Sequence, residues 1–166
     1  MARSPLVIYL QDHYAGATAG VNLARRCALT TAQSTGGEVV AEIAAEVESD
    51  RVTLERAMTA LSIPASTPKS AGAWLLEKLE HLKPNGRAGA DGSVQALHEL
   101  EVLSLGLAGK RALWIALQTV PEIADRTNLD LDALTARAQD QFDRIEAVRL
   151  NAARAAFHRD TSTRDL

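Results

Sequence analysis

Apolar residues recur at helical spacing in four stretches of the chain, separated by a short, a long and a short polar break. The first stretch opens at Ser4-Pro5, a Ser in the N-cap position with Pro in the first turn. From there Leu6, Leu10, His13, Ala17, Gly20 or Val21, Ala24 and Ala28 line one face to about residue 33. Ser34-Thr35-Gly36-Gly37 breaks the pattern, and so short a connection predicts an antiparallel second helix over residues 37–61. Residues 62–92 hold Pro64, Pro68, Pro84 and a Gly-rich patch around one short amphipathic segment, about 70–82, with Trp74, Leu75, Leu79 and Leu82 on its apolar side. A third helix is predicted over 93–119, with Leu100, Leu103, Leu107, Trp114 and Leu117 in one stripe and Ala108, Ala112 and Ile115 on the other side. Pro121 ends it. Asn128 and Asp130 then offer caps for a fourth, about 130–157, with Leu134, Ala138, Phe142, Ile145, Val148 and Ala152 inward.

Two positions disturb this simple pattern. The second stripe is built from Val40, Ile43, Val47, Leu54, Met58 and Leu61, and Arg51 falls only about 45° from its centre at roughly 100° per residue. A charge placed there must be paired, sit at the stripe's edge or reach a cavity. In the first stretch, Gly16-x-x-x-Gly20 weakens the helix unless another backbone or a bulky side chain approaches it closely. Close packing is therefore the expected reason for the two glycines.

Composition narrows the picture. A chain of 166 residues, 46% hydrophobic and only 4% aromatic, builds one helical domain through many small contacts. That domain is expected over residues 1–160, with 161–166 as a disordered tail. The net charge of −3 argues against nucleic acid as a partner, and no apolar run approaches a membrane span. Asp12 and His13 interrupt the N-terminal apolar run before a signal sequence could form, so the chain reads as cytoplasmic. Cys27 is the single cysteine, which excludes an internal disulfide and any cysteine-based metal site.

Several motif fragments fail on their spacing. His98-Glu99 begins a zinc-protease signature without its second histidine. Gly106-Leu107-Ala108-Gly109-Lys110-Arg111 echoes a phosphate loop but lies within a helix and lacks the Ser or Thr after lysine. Asn128, Asp130 and Asp132 mimic the start of a calcium loop, with Ala133 where glycine is needed. They are read as capping residues.

Two helical hairpins joined by one long crossover resemble the ferritin-like superfamily over roughly residues 4–157. The block Tyr9 to Gly20 is also similar to the starts of small bacterial proteins. The resemblance implies an all-α, ferritin-like four-helix bundle whose 2–3 crossover (62–92) carries a short extra helix. In that family a Glu-x-x-His on helices two and four helps hold a metal pair. Here the matching segments are Glu48-Ser49-Asp50-Arg51 and Glu146-Ala147-Val148-Arg149, with permanent cations in place of both histidines. No metal and no cofactor is therefore expected. Asp12, His13, Glu48, Asp50, Arg51, Glu101, Glu146 and Arg149 form instead a candidate buried polar cluster, with Glu101 beside Arg149 and Arg51 beside Asp50, Glu48 or Asp12, the alternative being that these charges sit at helix flanks and face water. The expected function is a non-catalytic interaction or structural module, with a homodimer or another protein as partner. The alternatives are a degenerate metal site on Asp12, His13, Asp50, Glu101 and Glu146, or a small-molecule pocket beside Gly16 and Gly20 anchored by His13 and Arg51.

Overall fold

The computed structural model describes residues 4–65 and 92–162, the side chains of 159–162 excepted. The expected short helix at 70–82 and the rest of the crossover from residue 66 to 91 lie outside the described residues. The described residues form five helices: α1 (Pro5–Thr31), α2 (Gly37–Ala60), α3 (Gly92–Gln118), α4 (Pro121–Thr127) and α5 (Leu131–Ser162). No strand occurs among the described residues, so the chain is all-α. No helix among them is long and apolar enough to cross a membrane.

Local chemistry sets most of the boundaries. Pro5 occupies the first turn of α1, although the Ser4 side chain makes no capping hydrogen bond. Gly36 adopts a left-handed φ of 93°, and a Cβ on Gly37 would stand 2.3 Å from the Thr31 carbonyl oxygen, so the α1–α2 turn needs both glycines. At the far end of α2, Ser62 turns left-handed (φ 59°) and the Ile63 N–H reaches the Met58 carbonyl at 2.8 Å, a Schellman-type stop. Asn128 (φ 52°) closes α4, and Asp130 Oδ1 accepts the Ala133 N–H at 2.9 Å to open α5. Asp130 thus caps the helix its position predicts, whereas Asn128 closes the preceding short helix instead. The seven-residue α4 was not anticipated. Pro121 both ends α3 and begins α4, which tucks Ile123 into the core.

The long helices pair as α1 with α2 and α3 with α5, and α1 also packs on α3 and α2 on α5. Thr30 near the end of α1 meets Glu99 near the start of α3, so these two run antiparallel. Glu46 meets Arg144 while Asp50 meets Arg137, so α2 and α5 are antiparallel as well. It follows that α2 and α3 run in the same direction, diagonally across the interior.

The apolar interior is divided. One cluster, at the α4 end, contains Leu10, Leu54, Met58, Trp114, Leu134 and Ala138. The other, near the α1–α2 turn, contains Ala24, Ile43, Val47, Leu103, Leu107 and Ile145. Asp50, Lys110 and Gln141 lie between them in chain position on α2, α3 and α5. Gln141 is fully buried and Phe142 only partly, so the amide takes the inward position expected for the ring.

Candidate functional site

The central layer is built from one polar residue on each of three helices. Lys110 Nζ donates to Asp50 Oδ2 at 2.5 Å and also to Gln141 Oε1. Arg137 donates to the other Asp50 oxygen. The Gln141 amide donates to Asp50 Oδ2 at 3.2 Å and to Glu46 Oε2 at 2.8 Å, and Glu46 is clamped by Arg144 at 2.6 Å. Asp50 is 3% exposed, and both its oxygens are engaged. A buried carboxylate is tolerable only with such partners. Burial pushes the Lys110 ammonium below the usual lysine range, against the opposing pull of Asp50. Burial pushes the Glu46 carboxyl up, but the hydrogen bonds from Arg144 and Gln141 outweigh it and hold the group below its ordinary value.

A cavity of about 370 Å³ opens at the same level, between α1 and α3 with α2 behind it. Its walls are predominantly apolar, and Asp12, His13, Asp50, Arg51 and Lys110 are the charged and imidazole side chains that line it. Gly16 and Gly20 of α1 and Gly106 and Gly109 of α3 line it, and at none of the four would an added Cβ meet any atom within 4 Å. None of the four has the positive φ found at Gly36. The expected close approach at Gly16 and Gly20 is therefore corrected: these glycines face open space. Each weakens its helix by about 1 kcal/mol relative to Ala, and neither a turn nor a tight contact accounts for them.

The eight residues of the expected polar cluster do not form one cluster. Only Asp50 belongs to the central layer. Arg51 lies on the α1–α2 seam, donating to Glu48 at 3.1 Å, to Glu55 at 2.9 Å and to the Tyr14 hydroxyl at 3.0 Å, with its guanidinium 5.9 Å from the Tyr14 ring centroid. Glu48 also receives Arg25 at 2.8 Å. Arg149 lies on the α3–α5 seam with Glu146 at 2.8 Å and Glu101 at 3.7 Å, and Ser104 donates to Glu146 at 2.6 Å. The guanidinium of Arg149, together with the Ser104 hydroxyl, holds the Glu146 carboxyl below its usual range. Neither guanidinium occupies the centre; that place belongs to Lys110. Asp12 is exposed at the cavity rim. His13, half-buried, packs edge-on against Tyr9 with centroids 4.5 Å apart, and burial lowers its pKa against the opposing pull of Asp12.

The suggested degenerate metal ligands are likewise dispersed: Asp12 and His13 at the cavity, Asp50 in the layer, Glu101 and Glu146 on the far seam. Among the described residues no group of three His, Cys, Asp or Glu side chains could hold a metal ion. Lys110 and Arg137 surround the one fully buried member, Asp50, with positive charge, and a dinuclear carboxylate site does not fit there. Burial, then Glu99, pushes the Cys27 thiol up to about 12, so this sulfur is an inert core group.

Lys110, Arg137 and Gln141 are the residues around Asp50 that motif reading missed. A signal for two of them was present. Lys110 falls in the 3–4 spacing of Leu103, Leu107, Trp114 and Leu117, and Gln141 in that of Leu134, Ala138, Ile145 and Val148. The chain matches no protein-family model, no curated protein and no solved structure.

Proposed function

We propose that this protein is a ferritin-like helical bundle that binds a small, largely apolar molecule in the α1–α3 cavity, with the Asp50–Lys110–Gln141 layer in place of metal ligands. The architecture is supported by two antiparallel hairpins whose inner members, α2 and α3, run the same way, an arrangement that needs a long connection between them. The observation that carries the binding reading is the set of four helical glycines around an apolar cavity. Well-packed interiors leave few voids larger than a water molecule. A space of 370 Å³ falls instead within the range of ligand sites, about 300–1,000 Å³. Alanine at Gly16 or Gly106 would be accommodated and would strengthen the helix, so the glycines serve the space itself.

Thermal-shift measurement against a panel of apolar molecules tests this reading, with Gly16→Leu and Gly106→Leu as filled-cavity controls. Binding is expected in the native protein and its loss is expected in both variants. Equal shifts in native and filled proteins would place the ligand elsewhere.

A second reading, a non-catalytic interaction module that forms a homodimer, rests on the outer face of α3. Leu105, Ala108, Ala112 and Ile115 make an exposed apolar stripe there, with Leu105 at 66%. Sedimentation equilibrium at rising concentration tests it, and a monomer throughout would remove it.

A further inference from the structure

Lys110 is the only lysine among the described residues; every other strongly basic side chain there is an arginine. An arginine would hold a buried carboxylate through two parallel hydrogen bonds, and it never loses its charge. A lysine in that place gives up the fork and gains an amine that becomes a nucleophile once it sheds a proton. The position is also the most open of the layer. Lys110 keeps 14% of its side chain exposed, against 3% for Asp50 and 0% for Gln141, and it lines the apolar cavity. A helical side chain leans over the turn before it, which for Lys110 is the turn of Gly106. No atom lies within 4 Å of the place a Gly106 Cβ would take, so the cavity is open alongside the lysine stem. Burial holds the ammonium below the usual lysine range, which favours loss of a proton.

We propose that the cavity binds an apolar aldehyde and that Lys110 captures it as an imine, with Asp50 as proton carrier and counter-charge. This rests on the binding reading above and adds the ligand's chemical class and its point of attachment. Asp50 Oδ2, 2.5 Å from Nζ, takes one ammonium proton and frees the nitrogen lone pair. That pair forms a C–N bond to the carbonyl carbon while the C=O π pair moves to oxygen. The oxygen collects a second proton from nitrogen, giving a neutral carbinolamine. Asp50 then returns its proton to the new hydroxyl, the C–O bond breaks with loss of water, and the nitrogen lone pair closes the C=N bond. Ammonium and aldehyde become iminium and water, with no oxidant or reductant. The iminium keeps a positive charge and one N–H beside Asp50, which the buried carboxylate requires. The bond given up is the one to Gln141. At roughly 30 Å³ for each water-sized group, 370 Å³ holds about twelve non-hydrogen atoms, the size of a medium-chain aldehyde.

The test adds decanal and cyanoborohydride to the full chain. Cyanoborohydride reduces an iminium to a stable secondary amine, and peptide mass spectrometry then locates the alkylated lysines. Lys69, Lys78 and Lys83 serve as internal controls. Lys110 is expected to carry the decyl group about tenfold or more over any of them, because the pocket holds the carbonyl beside the amine. The preference should vanish in urea, which removes the cavity, and with glycolaldehyde, which has no apolar chain to bury. Lys110→Arg keeps the charge toward Asp50 but cannot form an imine. Folded by circular dichroism, it should lose the preferred adduct while the three controls label as before. Binding of decan-1-ol by titration calorimetry, with no preference for Lys110 in the decanal reaction, would overturn the inference and leave the pocket standing. A preference that persists in urea would overturn it as well, since it would belong to the local sequence. Failure of both decanal and decan-1-ol to bind would overturn the pocket reading and this inference together.

Discussion

The central layer and the α1–α2 seam both pair cations with carboxylates, yet they are physically different regions. At the seam, Arg51 meets Glu48 and Glu55, side chains that are 33% and 42% exposed, and water shares the stabilisation. In the layer, Lys110 meets Asp50 at 3% exposure, between two apolar clusters that screen it. Water solvates seam charges in the unfolded and folded chain alike. The layer's charges lose that solvation and depend wholly on one another. Proximity in sequence to a hydrophobic stripe therefore does not determine which charge is consequential. What matters is whether all neighbouring helices also turn their faces to that charge.

The comparison can be broken most sharply at Asp50. Asp50→Ala leaves the buried Lys110 ammonium without its counter-charge, and urea unfolding should show a loss of about 3–5 kcal/mol. A loss near that of a surface substitution would mean the layer is as wet as the seam. Joining the two apolar clusters is the converse experiment. Asp50→Leu, Lys110→Met and Gln141→Leu together remove every partner at once, with Arg137 free to turn to solvent. The triple variant is expected to be neutral to more stable by about 1–4 kcal/mol. A smaller effect is expected at the seam, where Arg51→Ala should lower stability by less than about 1 kcal/mol, measured in the same urea series. If it matched Asp50→Ala, the distinction between the regions would disappear.

The helical architecture was legible in the sequence because four long apolar periodicities and their caps agree. Proline and glycine positions placed the α1–α2 turn and the end of α3 to within a few residues. The seven-residue α4 is too short to show a period, so its only trace was Pro121 following the third stripe. At the candidate site, Asp50 was legible as one of eight charged or polar candidates, but not as the buried one among them. By the same helical arithmetic Asp50 lies about 55° from the stripe's centre on the opposite side, an angle little different from that of Arg51. Angle alone does not rank the two. The 3–4 spacing does not rank them either: Val47, Leu54, Ala57 and Leu61 leave position 50 open, while Val47, Leu54, Met58 and Leu61 leave position 51. Lys110 and Gln141 fill the equivalent gaps in α3 and α5. Three polar residues at the same seam positions of three helices predict a shared layer, a pattern that appears only when the helices are compared with one another. Arg137 has no such signature. It stands off the stripe and reaches Asp50 from the side, so only the packed structure shows its role. The glycines were visible, but their meaning depended on what lay opposite, and no single helix carries that information.

The most direct test of the buried layer is a double-mutant cycle between Asp50 and Lys110, using Asp50→Asn, Lys110→Met and their combination in urea unfolding. The structure predicts a coupling energy above about 1 kcal/mol, as for side chains in one buried network. Additivity to within about 0.5 kcal/mol would contradict it, because the two groups would then be acting as independent, solvated charges.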